Sequence, residues 1–171
     1  MRVRHVVKGD ADRLRQLRLA ALAEDPDAFG STRARDAAHP QEHWDRWAVE
    51  SDDGSRQRTF VLVDDEGRWH GLALVRHDAD EPGTAVLNGM WVAPGVRGRR
   101  FGVLLSDACA AWATQQGLRE LTLAVVIGNE PALRAYEAAG FVVRGKITWR
   151  QAGRILDELI MARRLTPASP M

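Results

Sequence analysis

Apolar positions along the chain change period several times, and each change predicts an element. Arg2 to Val7 alternates polar and apolar residues and reads as a short strand. Asp10 then stands as an N-cap, and Leu14, Leu17, Leu19 and Leu22 follow at mostly helical spacing to about Glu24. Pro26 ends that helix, and Asp25 to Ser31 reads as a turn carrying Phe29. Pro40 suits the first turn of a second helix, with Trp44 and Trp47 on one face. The polar run from Ser51 to Gln57 reads as a loop.

Strand patterns then dominate. Phe60 to Val63 is a short strand, Asp64-Asp65-Glu66-Gly67 a hairpin-type turn, and Trp69 to Arg76 the next strand. His77 to Thr84 connects to a strand from Ala85 to Val92. Pro94 to Gly102 is a loop rich in Gly and Arg. Val103, Leu104, Ala108, Ala111 and Trp112 mark a helix that ends near Gly117. Leu121 to Ile127 is an almost unbroken apolar run, the pattern of a strand buried on both faces. Asn129 caps a helix from Glu130 to Ala139, and Gly140 stops it. Phe141 to Trp149 and Glu158 to Leu165 complete the strands. The resulting order is β-α-α-β-β-β-α-β-α-β-β. It predicts an antiparallel meander followed by helical crossovers. We expect one domain over residues 1–165 and a flexible tail over 166–171.

Composition narrows the function classes. The chain has 171 residues, enough for one sizeable core, and 45% of them are hydrophobic. Its 24 basic and 23 acidic side chains leave a net charge of +1, which argues against a general nucleic-acid or membrane binder. Lys8 and Lys146 are the only lysines. Cys109 is the only cysteine, so no internal disulfide forms; in its Ala-rich setting it reads as a small buried hydrophobe. No apolar run reaches transmembrane length, and Met1 to His5 lacks a signal-peptide pattern, so a cytoplasmic protein is expected. His39 and His43 sit four apart, but no third ligand accompanies them; a solvated face is the expectation and no metal is predicted.

The loop after the Ala85–Val92 strand carries most of the chemistry. Loop amides and the N-terminus of the following helix point the same way there, and the helix dipole adds partial positive charge. Gly98 and Gly102 let backbone approach a ligand, while Arg97, Arg99 and Arg100 add full charges. Such a nest suits a pyrophosphate. The Gly/Arg content alone would also fit a solvated basic turn. The register of strand, Val-x-Pro, loop and apolar helix is more specific.

That stretch resembles the acetyl-CoA signature of the GNAT superfamily, Arg/Gln-x-x-Gly-x-Gly/Ala preceded by Val-x-Pro. Val92-Ala93-Pro94 matches the lead-in, Arg97 the first position and Gly102 the last. Arg100 stands where the family usually has its central Gly; we expect it to keep ordinary helical geometry. Downstream, Asn129-Glu130-Pro131-Ala132-Leu133-Arg134-Ala135-Tyr136-Glu137-Ala138-Ala139-Gly140-Phe141 resembles the family's Asn-x-x-Ala-x-x-x-Tyr-x-x-x-Gly-Phe segment. Asp157 to Met161 resembles its final strand. Residues 85 to 165 carry the likeness; residues 1 to 84 fit by element order alone.

The resemblance implies an α/β (α+β) fold: a mixed, mostly antiparallel sheet of six to seven strands, about four helices and splayed central parallel strands. It implies transfer of acetyl from acetyl-CoA to a primary amine by direct attack in a ternary complex. The implied coenzyme contacts are Met90, Trp91, Val92, Arg97, Gly98, Arg99, Arg100, Phe101, Gly102, Asn129, Ala132 and Tyr136. Backbone N–H near Trp91 or Val92 would polarise the thioester carbonyl. The Trp91 side chain itself is either beside the cleft or a core aromatic facing away. Asn129 would cap its helix and also bond pantetheine. Tyr136, the only tyrosine, would protonate the departing thiolate as general acid.

The general base is open. Many relatives place an acid on the strand before the loop, and Ala85 to Val92 has neither acid nor histidine. His77, Asp78, Glu158 and a water chain are the alternatives. Trp44 and Trp47 either flank the acceptor or pack an amphipathic helix on the sheet. A non-catalytic acyl-CoA-binding module of the same fold competes with the enzyme reading. A nucleotide-binding protein is disfavoured, because the P-loop pattern is missing. The acceptor amine is unidentified, and a homodimer is the default assembly.

Overall fold

The computed structural model describes residues 1–151 and 153–166. Seven strands form one sheet: β1 (Arg2–His5), β2 (Gln57–Val63), β3 (Trp69–His77), β4 (Thr84–Val92), β5 (Glu120–Val126), β6 (Val142–Gln151) and β7 (Arg154–Arg164). Their spatial order is β1-β2-β3-β4-β5-β7-β6. Every neighbouring pair is antiparallel except β4–β5. That parallel pair holds only from Thr84 opposite Glu120 to Val86 opposite Thr122. From Leu87 onward β4 has no ladder to β5, which is the splay expected between the central strands. The fold is therefore the mixed α/β sheet that the family resemblance implies, with the meander and crossovers of the predicted element order.

Helices cover both faces. On one lie α4 (Phe101–Gln115) and α5 (Glu130–Ala138). Leu105, Cys109 and Ala113 of α4 meet Leu62, Val75, Leu121, Leu123 and Met161 from the sheet, with Phe141 beside them. On the other face lie α1 (Ala11–Glu24) and α3 (Gln41–Asp53). Leu14, Leu22, Trp44 and Ala48 pack there on Val61, Val63, Leu72 and Trp91. Successive strand residues point to opposite faces, so Val61, Leu62 and Val63 are all buried, but in two different cores.

Several expectations need correction. Among the described residues there are five α-helices, one more than the predicted element order. The additional one, α2 (Arg33–Ala37), is too short to show a period; Thr32 caps it by accepting the Arg35 N–H. The stretch from Ser51 is not wholly loop: α3 continues to Asp53 and stops at Gly54, whose φ of 67° is left-handed. Ser51 is fully buried because its hydroxyl donates to the Val6 carbonyl at 3.0 Å and accepts the Thr59 N–H at 2.9 Å. Asp10 occupies the N-cap position of α1 but does not cap it. Its carboxylate takes the Val7 N–H and the Arg4 guanidinium instead. The apolar run of β5 is buried on one face only: Leu121, Leu123 and Val125 are buried, whereas Ala124 is exposed on the other. The tail assigned to residues 166–171 lies, apart from Thr166, outside the described residues.

Candidate active site

The splay opens a cleft of about 560 Å³ between β4, the loop before α4, and α5. Its walls include Met90, Trp91 and Val92 from β4, and Arg97, Gly98, Arg100, Phe101 and Gly102 from the loop. Asn129, Ala132 and Tyr136 come from α5 and its cap. The structure thus brings together every coenzyme residue expected from the sequence except Arg99, which is exposed and outside the lining.

The loop presents unused donors. Among the described residues, no group accepts a hydrogen bond from the backbone N–H of Gly98, Arg99, Arg100, Phe101, Gly102 or Val103. Part of this follows from helix geometry, since the first turn of α4 has no intrahelical acceptors. The rest comes from two left-handed residues, Gly98 at φ 78° and Arg100 at φ 60°. Alternating right- and left-handed backbone turns successive N–H groups toward one point, which favours an anion. Arg100 therefore departs from its expected helical geometry. It holds the conformation usual for glycine, and is the only non-glycine among the described residues with positive φ. A Cβ in this region costs roughly 1–2 kcal/mol.

Arg97 also sits differently from a free phosphate ligand. Its Nε donates to the Val92 carbonyl at 2.8 Å, and its Nη2 pairs with Asp25 Oδ2. The same Oδ2 accepts the Trp91 indole N–H at 2.7 Å. Trp91 is 8% exposed and its ring packs with the α1–α3 core, while its neighbours Met90 and Val92 pack toward α4. This decides the open orientation of Trp91: the ring faces the α1–α3 side, and the residue still borders the cleft.

Asn129 Oδ1 accepts the Ala132 N–H at 3.3 Å, so the capping role holds. Its side-chain NH₂ has no partner among the described residues. Tyr136 is buried, edge-on to Phe141 with ring centroids 5.9 Å apart, and its hydroxyl has no hydrogen-bond partner among the described residues. Burial, with a smaller contribution from Cys109, raises its pKa above the ordinary phenol value. A phenol so placed stays protonated and has its O–H proton available to donate. Burial likewise raises the Cys109 thiol, which is fully buried and fits the reading as a small hydrophobe.

The alternatives for a base lie elsewhere. His77 ends β3 opposite Ala85, where β4 begins, and packs edge-on to Trp112. Asp78 accepts the Asp80 and Glu81 N–H groups within its own turn. Glu158 is buried opposite Val126 and accepts the Trp149 indole N–H at 2.6 Å. None of the three lines the cleft. Trp44 and Trp47 do not line it either: Trp44 is fully buried, Trp47 stacks on it at 5.7 Å, and both serve packing. His39 and His43 stack on each other at 4.0 Å, and no three potential metal ligands cluster among the described residues.

Three residues escaped sequence reading. Asp25, a turn residue before Pro26, supplies the one carboxylate of the cleft lining. Gly89, at φ 59°, forms a bulge where the β3–β4 register shifts between Leu72 and Leu74. A Cβ there would lie 3.1 Å from Arg18 Nη1. Arg18 in turn pairs with Asp36 at 2.9 Å, both nearly buried, and fastens α2 to α1.

Comparison with known proteins gives the family and the fold. Residues 18–141 match the profile of the acetyltransferase (GNAT) family. The chain belongs to that family. A streptothricin acetyltransferase of Streptomyces lavendulae is 36% identical over 88 residues, 52% of this chain and 46% of that protein. This chain therefore spans about half the length of the curated relative it matches. Among solved structures, a GNAT-family acetyltransferase from Streptococcus pneumoniae superposes with a TM-score of 0.81 at 20% identity, covering 96% of this chain and 98% of its own. The Salmonella typhimurium protein yncA, solved with its cofactor acetyl-CoA, gives 0.76 at 19% identity, covering 100% and 97%. At these identities the structural likeness concerns the fold.

Proposed function

We propose that this GNAT-family protein is an N-acetyltransferase that binds acetyl-CoA in the β4–α4–α5 cleft and acetylates a primary amine. The observation that carries the reading is the row of unused N–H groups from Gly98 to Val103 beside a β4 edge that has lost its partner strand. The amides and the positive end of α4 suit a diphosphate, with the Arg100 and Arg134 side chains in the same lining. The free edge of β4 from Leu87 to Val92 suits an extended amide-bearing arm, which can pair with it as an added strand. The unpaired NH₂ of Asn129 can donate to a carbonyl of that arm. Acetyl-CoA supplies the acetyl group as a thioester. Tyr136 holds a proton on its hydroxyl and suits the role of general acid toward a leaving sulfur.

Streptothricin is the first acceptor to test, because the relative at 36% identity is named for its acetylation. Two measurements test the reading together. Coenzyme A should raise the unfolding midpoint while ATP should not, since only a ligand that binds the folded form does so. A panel of amines that includes streptothricin, with released thiol detected, should then show turnover. Equal shifts by both nucleotides, or no thiol release from any amine, would defeat the proposal.

A further inference from the structure

An amine acceptor reaches an enzyme mainly as an ammonium ion, since alkylamines have pKa values near 10. Before it loses its proton and becomes a nucleophile, such a cation docks best beside an anionic partner, in a cleft otherwise rich in arginine. The lining carries Arg97, Arg100 and Arg134 but one carboxylate, Asp25. We propose that Asp25 is the docking point for the acceptor's ammonium group. The proposal rests on the acetyltransferase reading of the same cleft and assigns the acceptor side that this reading leaves blank.

Several observations support it. Asp25 comes from the connection after α1, not from the coenzyme loop, yet it is tied to β4 through the Trp91 indole. It therefore sits beside the strand that lacks any acid of its own. Its two oxygens are used unequally. Oδ2 accepts both the Trp91 N–H and the Arg97 guanidinium, whereas Oδ1 has no partner among the described residues. A carboxylate oxygen accepts about two hydrogen bonds, so Oδ1 has capacity for an incoming N–H donor. The carboxylate is 31% exposed, which leaves it reachable. Asp25 is also the C-cap of α1, whose last turn carries no basic residue. The negative end of that helix therefore adds to the field an ammonium would meet. Trp91 and Arg97 act here as positioning residues that hold the carboxylate in one orientation. This gives Arg97 a job on the acceptor side of the cleft, at the first position of the coenzyme signature.

The test uses the full-length protein without coenzyme. The Trp91 indole N–H resonance is followed by NMR while n-butylammonium chloride is added, with potassium chloride in the control to hold ionic strength. n-Butanol serves as the neutral isostere. The wild-type resonance should move saturably with n-butylammonium and stay still with n-butanol. Asp25→Asn, which is nearly isosteric and whose folding is checked by its unfolding midpoint, should weaken the apparent affinity about ten- to hundredfold, as expected for loss of a charge-assisted hydrogen bond. Asp25→Glu should recover part of it. A wild-type response no larger than that to n-butanol, or equal affinity in Asp25→Asn, overturns the proposal. Coenzyme A added to the same samples reports separately on the cleft reading: loop amides from Gly98 to Val103 that ignore coenzyme A would end that reading, whatever n-butylammonium does.

Discussion

The two halves of the chain solve the same packing problem with different means. In residues 85 to 165 the critical features are backbone features. Gly98 and Arg100 are left-handed, Asn129 caps α5, and β4 leaves its ladder after Val86. In residues 1 to 84 they are side-chain pairs. Arg18 binds Asp36, Arg4 binds Asp10, and Trp69 lies under both Arg4 and Arg13 at 5.1 and 4.6 Å. Backbone demands restrict residue type at fixed spacing, so they leave a motif. Side-chain pairs can be met by many combinations, so they leave none. The motif-bearing features therefore lie in residues 85 to 165, whereas residues 1 to 84 are legible by element order alone.

The largest effect expected from breaking this division falls in the first half. Trp44→Ala empties the centre of the α1–α3 core, where the side chain is fully buried. Urea denaturation should show a loss of about 3–5 kcal/mol. A loss below about 1 kcal/mol would mean that this core contributes little. Asp36→Ala strands the nearly buried Arg18 guanidinium and should cost about 3 kcal/mol by the same assay. An unchanged midpoint would remove the pair from the account.

In the second half, Tyr136→Phe should leave stability nearly unchanged and coenzyme affinity intact. Turnover should fall about a hundredfold or more, the usual contribution of a placed general acid. Steady-state kinetics beside a coenzyme titration separates the two, and unaltered turnover would take Tyr136 out of the chemistry. Arg100→Gly should stabilise the fold by about 1 kcal/mol, since glycine relieves the left-handed strain. A destabilised variant would show that the Arg100 side chain makes up for its own strain.

The smallest effect is a dependence on pH, and it too belongs to the first half. Burial, aided by Arg58, lowers the pKa of His5 below 6.5; burial, aided by His39, does the same for His43. Lowered values mean that the unfolded chain binds these protons more readily than the fold. The contribution is complete above the ordinary imidazole value and is lost as pH falls through and below it. The urea midpoint should therefore drop between about pH 7.5 and 5.5, and a double His5→Gln, His43→Gln variant should flatten that drop.

Legibility in the sequence follows the same line. The element order and the long helices are readable because alternation, caps and glycines mark them, and the residues of the cleft lining come from the family resemblance. The helix α2 is not readable, since five residues carry no period and its cap, Thr32, looks like any loop threonine. Asp25 was hidden for a different reason. Its meaning depends on Trp91, which lies 66 positions further along the chain, and a turn before a proline accepts aspartate without any functional cause. Arg100 departs from expectation because a residue with a Cβ favours helical geometry, whereas Arg100, between Gly98 and α4, is left-handed. Ser51 reads as loop because it is polar, yet from a fully buried position it joins α3 to Val6, just after β1, and to β2.

Crystals of the protein grown with coenzyme A would show directly where the diphosphate settles. We expect diphosphate oxygens within about 3.2 Å of backbone nitrogens in the Gly98–Val103 row, with Arg100 still left-handed. A diphosphate held away from those nitrogens, by side chains elsewhere on the surface, would contradict the account.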